Sequence, residues 1–211
     1  MSRAKLIVTA CFAILAVGAL MATTASAGEW DVGGTKLVGS EAIQSPAKVL
    51  EHGSLTVHVA GVVVECVSGE LGIEGGEIVA PNEVRAKSLD FKECSVTKGE
   101  CTLQEALIAT LALHGFAELE GTLGTLVKVL PLPSKTFAVI HFLGAKCALL
   151  GFQPVTGTAD LLAPSGKDPS VLQKVNAFTL PGGLHVGSDE ALLVGLSGDV
   201  QLASGKTWSF L

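Results

Sequence analysis

Cysteine, histidine and carboxylate are the residues through which this chain could do covalent, metal or acid–base chemistry. Of its five cysteines, Cys11 lies in the apolar N-terminal run, which leaves Cys66, Cys94, Cys101 and Cys147. Four thiols in a chain bound for an oxidising compartment read as two disulfides. Three pairings are open. Cys94 with Cys101 is the favoured one, because Ser95 to Glu100 between them is a polar loop holding Lys98-Gly99 and suits a stapled turn. Cys66 would then reach Cys147 and tie a central strand to a later one. Zinc is a poor alternative, since the Cys94/Cys101 spacing is not a CxxC knuckle and no second close pair exists.

His52, His58, His114, His141 and His185 include no pair at the i, i+2 or i, i+4 spacing of a metal site. His58, His114 and His141 fall in expected strands and could converge, although ordinary sheet residues beside solvent are the favoured reading. Glu65, Asp90, Glu118, Glu120 and Asp160 are strand carboxylates among which a glycosidase pair could hide, but their spacing singles out no two. A Gly-x-Ser-x-Gly elbow is missing. Gly205-Lys206-Thr207 has the tail of a phosphate loop, but Val200 stands where that loop needs glycine. From sequence, therefore, no catalytic residue, no cofactor and no metal ligand is assigned.

The elements that would position these residues begin after a leader. Arg3 and Lys5 precede an almost wholly apolar run from Leu6 to Ala22, followed by small residues ending Ala25-Ser26-Ala27. This three-part pattern predicts a signal peptide over residues 1–27, cleaved after Ala27, rather than a retained membrane helix. Cleavage leaves 184 of the 211 residues, the size of one domain, expected over 28–211. The leader holds two of the 14 basic residues and none of the 20 acidic ones, so 12 remain against 20 and the mature net charge is −8. An acidic chain without a basic run argues against nucleic acid and against docking on anionic lipid. The expected location is secreted or in the cell envelope, with no stable membrane insertion after cleavage and an envelope or extracellular partner of unknown identity.

Hydrophobic patterning points to strands. Leu55 to Cys66 shows a period of two up to Ala60, then a Val62-Val63-Val64 run beyond Gly61. This predicts one central strand with a bulge or sharp bend at the glycine, where it turns from one layer into the next, preceded by a strand at Ala47 to Glu51 and a turn at His52-Gly53-Ser54. Trp30 to Val32, Gly33-Gly34 and Leu37 predict a hairpin. Leu103 to Glu120 mixes helical and strand spacings and leans to strand. Further strands are expected at Thr125–Leu130, Thr136–Leu143, Val155–Leu162, Phe178–Leu180, Leu184–Val186, Glu190–Leu196 and Asp199–Leu202, with a helical turn at Asp168 to Gln173 after Pro169. Many short strands between glycine-rich turns predict an all-β fold, an antiparallel β-sandwich or partly closed barrel with at most one or two helical turns. The strands holding Trp30 and Trp208 should lie in one sheet, adjacent, with both indoles buried, because unpaired terminal strands would expose their ladder groups. An outer-membrane barrel is disfavoured, since the two tryptophans and absent tyrosine cannot form aromatic girdles.

The leader followed by Glu29-Trp30, the Val63-Val64-Glu65-Cys66 strand, Ser88 to Cys94 and the closing Leu202 to Trp208 resemble a group of exported all-β proteins of soil actinobacteria without an assigned activity. The resemblance implies export and supplies no catalytic residues. The leading expectation is a non-enzymatic binding or structural β-domain. The competing one is a secreted, glycosidase-like hydrolase with a carboxylate or histidine site.

Overall fold

A computed structural model describes residues 28–45, 48–57, 60–119, 124–163 and 166–211. The expected signal peptide, His58 and Glu120 lie outside the described residues. Strands form wherever apolar residues alternate. They are β1 (Trp30–Val32), β2 (Thr35–Lys36), β3 (Ser40–Ile43), β4 (Lys48–Val57), β5 (Val62–Leu71), β6 (Gly76–Val79) and β7 (Glu83–Ala86) in the first part of the chain. β8 (Leu89–Lys92), β9 (Ser95–Lys98), β10 (Thr102–Leu103), β11 (Ile108–Ala109), β12 (Leu113–Leu119), β13 (Thr125–Pro131) and β14 (Thr136–Leu143) follow. β15 (Gly151–Gly157), β16 (Ala159–Ala163), β17 (Leu172–Phe178), β18 (Leu184–Val186), β19 (Asp189–Gln201) and β20 (Trp208–Phe210) complete the order. All ladders between them are antiparallel, and no helix occurs among the described residues.

The large sheet curls twice, with β19 as the seam. Its C-terminal half pairs with β17, and the ladders continue through β16, β13, β12, β7 and β6 to β3. There the single bridge Ile43↔Leu202 returns to the end of β19, so this curl meets itself without closing as a barrel. The other curl runs from β19 through β4, β5 and β8 to β11 on one side, and through β18 and β15 to β14 on the other. It nearly meets itself where Leu111 N–H donates to the Phe137 carbonyl at 2.6 Å. Inward positions are apolar on both curls, as in β13, where Val127 and Val129 face in and Lys128 faces out.

A small sheet caps the first curl. β1 pairs with both β2 and β20, with Trp30 opposite Phe210 and Val32 opposite Trp208. Trp30 packs edge-on against Phe210 at 4.8 Å between ring centres and lies 5.8 Å from Trp208. The expected adjacency of the two terminal strands is what the chain adopts, and both indoles are buried.

Several local expectations are overturned. Leu55 to Cys66 is not one bulged strand: β4 and β5 fold back with Val57 opposite Val62, and Gly61 at φ +62° lies in the turn between them. A turn needing positive φ takes the glycine that was read as a bulge. His52-Gly53-Ser54 is not a turn but part of β4, where Gly53 pairs with Cys66 and Gly195. Asp168 to Gln173 is not helical, because Ser170 bridges Trp208 in extended conformation and β17 begins at Leu172. The cysteine pairing is also exchanged: the bonds are Cys66–Cys94 and Cys101–Cys147. β8 and β9 both run antiparallel along β5, broken at Glu93 (φ +53°), which sets Cys94 beside Cys66. Ser95 to Lys98 is then a ladder strand rather than a loop, and it carries Cys101 away to Cys147.

Candidate ligand cavity

Among the described residues, the strand histidines His114 and His141 have separate partners. His114 faces outward from β12, and its Nδ1 lies 2.8 Å from Glu83 Oε1. Arg85 holds the other oxygen of Glu83 at 2.7 Å and lies 3.7 Å from Glu77. Hydrogen bonding from Arg85, and then from His114, keeps the Glu83 carboxyl below its ordinary range. His141 stacks on Phe152 with ring centres 4.0 Å apart. His185, on β18, pairs with Thr156 and Glu190.

The candidate carboxylates are likewise scattered. Glu65 stands opposite Ser54 and Ser95, Asp90 opposite Glu70 and Ala109, Glu118 opposite Leu126, and Asp160 opposite Lys128 and Phe178. No two of these four are cross-strand partners. Among the described residues, no group of three or more His, Cys, Asp or Glu is placed to hold a metal ion. Asp160 differs from the others in being buried, on the face of β16 opposite the inward-facing Leu161. Burial pushes its carboxyl above the ordinary range, while Lys128 and the backbone N–H of Leu180 pull it back.

Among the described residues, two apolar cavities lie inside the curls, while two further, more polar pockets, of about 130 and 440 Å³, lie beside His141 and Phe152 and beside Glu65 and Glu93. The first curl encloses a cavity of about 110 Å³ lined by apolar side chains such as Ile78, Val127, Val175 and Val200, and capped by Trp30 and Trp208. The second encloses another of about 110 Å³, lined by residues that include Val64, Phe137, Ile140 and Leu184. Leu89, Leu113, Val129 and Leu161 line both, so the two spaces are neighbours across one layer of side chains. Protein interiors pack like organic crystals, with few voids larger than a water molecule. An engineered apolar cavity of about 150 Å³ stays dry and takes benzene or xenon. Each of the two adjoining spaces, at about 110 Å³, exceeds a void that one water would fill.

Besides Arg85, His114 and Trp30, whose polar atoms are each held by Glu83, three polar side chains line the first cavity. Gln173 is fully buried and donates through Nε2 to the carbonyls of Trp208, at 2.7 Å, and Asp168, at 2.9 Å. Thr125 and Trp208 are the other two. Sequence reading missed all three as site residues. One signal was legible: Thr125 begins the inward stripe that Val127 and Val129 continue, a polar residue where the alternation calls for an apolar one. No protein-family model, curated protein or solved structure matches the chain.

Proposed function

We propose that the protein is an extracytoplasmic, non-enzymatic binding module that holds a small apolar molecule inside its curled sheets. The observation that carries this reading is the pair of neighbouring apolar cavities, concave and largely preformed as ligand sites are. The two disulfides fit an oxidising compartment. The acidic mature chain suits an envelope or extracellular setting and disfavours nucleic acid as a partner. Benzene is the direct probe. A ligand that binds only the folded state raises Tm in proportion to the logarithm of its concentration over Kd. Saturating benzene should raise Tm measurably, and an unchanged Tm with both benzene and n-octane would overturn the reading. Export is tested separately: N-terminal sequencing of the secreted protein should begin at Gly28, and a chain still starting near Met1 would remove the leader from the account.

A further inference from the structure

The two tryptophans of the cap are satisfied differently. Trp30 donates its Nε1–H to the Glu83 carbonyl at 3.0 Å. Trp208, 6 % exposed, has no acceptor for its Nε1–H among the described residues. The Thr125 hydroxyl, on a residue 1 % exposed, also finds no partner there. Both residues line the first cavity. Leaving a buried donor or acceptor unpaired costs about 1–3 kcal/mol, so native chains rarely keep one without a use. Here two of them border one apolar space.

The surrounding backbone holds both in place. Gln173 and the N–H of Ser170 both bond the Trp208 carbonyl. Gly166 brings the main chain against Thr125, where an added Cβ would stand 2.6 Å from Oγ1, and its carbonyl accepts the N–H of Phe210. The cap strand and the start of β13 thus meet at one end of the cavity.

The chemistry of the two groups selects the ligand. An indole N–H only donates, whereas a hydroxyl donates or accepts, so a ligand atom meeting both needs must be an acceptor. An ionised head group is disfavoured, because an uncompensated charge in an apolar cavity costs far more than a neutral dipole. Arg85 and His114, the ionisable residues at this lining, are already engaged by Glu83, and Arg85 by Glu77 as well. One cavity alone is smaller than the space that benzene occupies in the engineered case. A longer molecule would have to use both, passing Leu89, Leu113, Val129 and Leu161.

We propose that the joined cavities bind a neutral, mostly hydrocarbon molecule carrying one carbonyl-type acceptor. The acceptor sits on Trp208 Nε1 and Thr125 Oγ1, and the hydrocarbon extends toward the second cavity. This rests on the binding-module reading and names its ligand class. The test titrates the full oxidised protein with 2-octanone and with n-octane, for the wild type, Thr125→Val and Trp208→Phe. Thr125→Val keeps the shape and removes the hydroxyl, whereas Trp208→Phe removes the N–H together with part of the ring, so the octane control reads the packing change. The ketone's Kd should rise about tenfold in each variant, the equivalent of about 1.4 kcal/mol, while the octane's changes less than twofold. If the ketone binds wild type and both variants equally, an ordered water satisfies the two atoms and the inference is overturned. It is also overturned if ketone and octane weaken together, since Thr125 and Trp208 then act by packing alone. Both of those outcomes leave the binding module standing, whereas a wild type that binds neither probe overturns the two readings together. Should Trp208→Phe fail to fold, Thr125→Val decides the matter, because replacing an orphaned hydroxyl by a methyl does not threaten the core.

Discussion

At the scale of single residues, burial and partners set two carboxylates against each other. Asp160 has its folded-state pKa raised by burial. Its contribution to stability is complete below the ordinary carboxylate pKa of about 4 and is lost as pH rises through the raised value. Glu83, lowered first by its hydrogen bond to Arg85, does the opposite: its contribution is present above the ordinary value and is lost as pH falls through the depressed one. Asp160→Asn removes the titration at the buried site. The variant should therefore gain on wild type as pH rises. Thermal melts at pH 4 and pH 8 check this, and a Tm difference that is the same at both would mean that Asp160 feels no burial penalty. The orphaned atoms of Thr125 and Trp208 belong to the same scale, for their meaning depends on one missing acceptor each.

Among the elements, β5 is held on both sides, since β4 lies on one side of it and β8 and β9 on the other. The Cys66–Cys94 bond locks β5 to that second side and closes a sequence separation of 28 residues, while Cys101–Cys147 closes 46. On chain entropy alone each contributes about 3.5–4 kcal/mol. Peptide mapping without reduction should recover these two linked pairs. Replacing Cys66 and Cys94 together by alanine should lower stability by about 3 kcal/mol in denaturant melts, and a loss under 1 kcal/mol would mean that the ladders alone hold β5. A second element-scale constraint sits between β15 and β16. Gly157, at φ +114°, lies so close to the Gly183 carbonyl oxygen that an added Cβ would collide with it. That oxygen accepts the Thr158 N–H at 2.7 Å and cannot easily move. Gly157→Ala should cost more than about 2 kcal/mol, combining the collision with a backbone conformation that alanine avoids. A denaturant midpoint within error of wild type would show that the turn yields.

For the whole molecule, the three-stranded cap joins the two ends of the described chain to the first curl. Beyond the β1–β20 ladder, Glu29 and Leu211 exchange two backbone hydrogen bonds, and Trp30 N–H donates to Pro81. Ser170 and Gly166 tie β20 to the segment before β17. Removing Thr207 to Leu211 deletes β20, opens one end of the first cavity and leaves Trp30 without Phe210 and Trp208. The truncated protein should melt cooperatively at a much lower temperature. Its emission, now from Trp30 alone, should move to the red as water reaches the ring. An unchanged melt with unchanged Trp30 emission would show that the ends are not coupled to the fold.

What could be read without coordinates was what depends on near neighbours in sequence. Alternation in Thr125 to Leu130 and Thr136 to Leu143 marked β13 and β14, since a half-buried strand needs a period of two. The Gly33-Gly34 turn marked the β1–β2 hairpin, and the need to pair terminal strands placed Trp30 beside Trp208. The chain alone also specified an all-β fold and an even set of thiols for disulfides. It did not specify which cysteines meet. That is decided by β8 and β9 lying along β5, a contact between distant segments with no local signature. Gly61 was ambiguous for a related reason: a bulge and a hairpin turn both use positive φ, and only the pairing of Val57 with Val62 separates them. Of the cavities, only Thr125 breaking the inward stripe of β13 left a trace in the sequence. An apolar stripe looks the same whether it faces a filled core or a space, and only the curvature of one sheet curling twice about β19 leaves Thr125 and Trp208 beside room that their own chain does not fill.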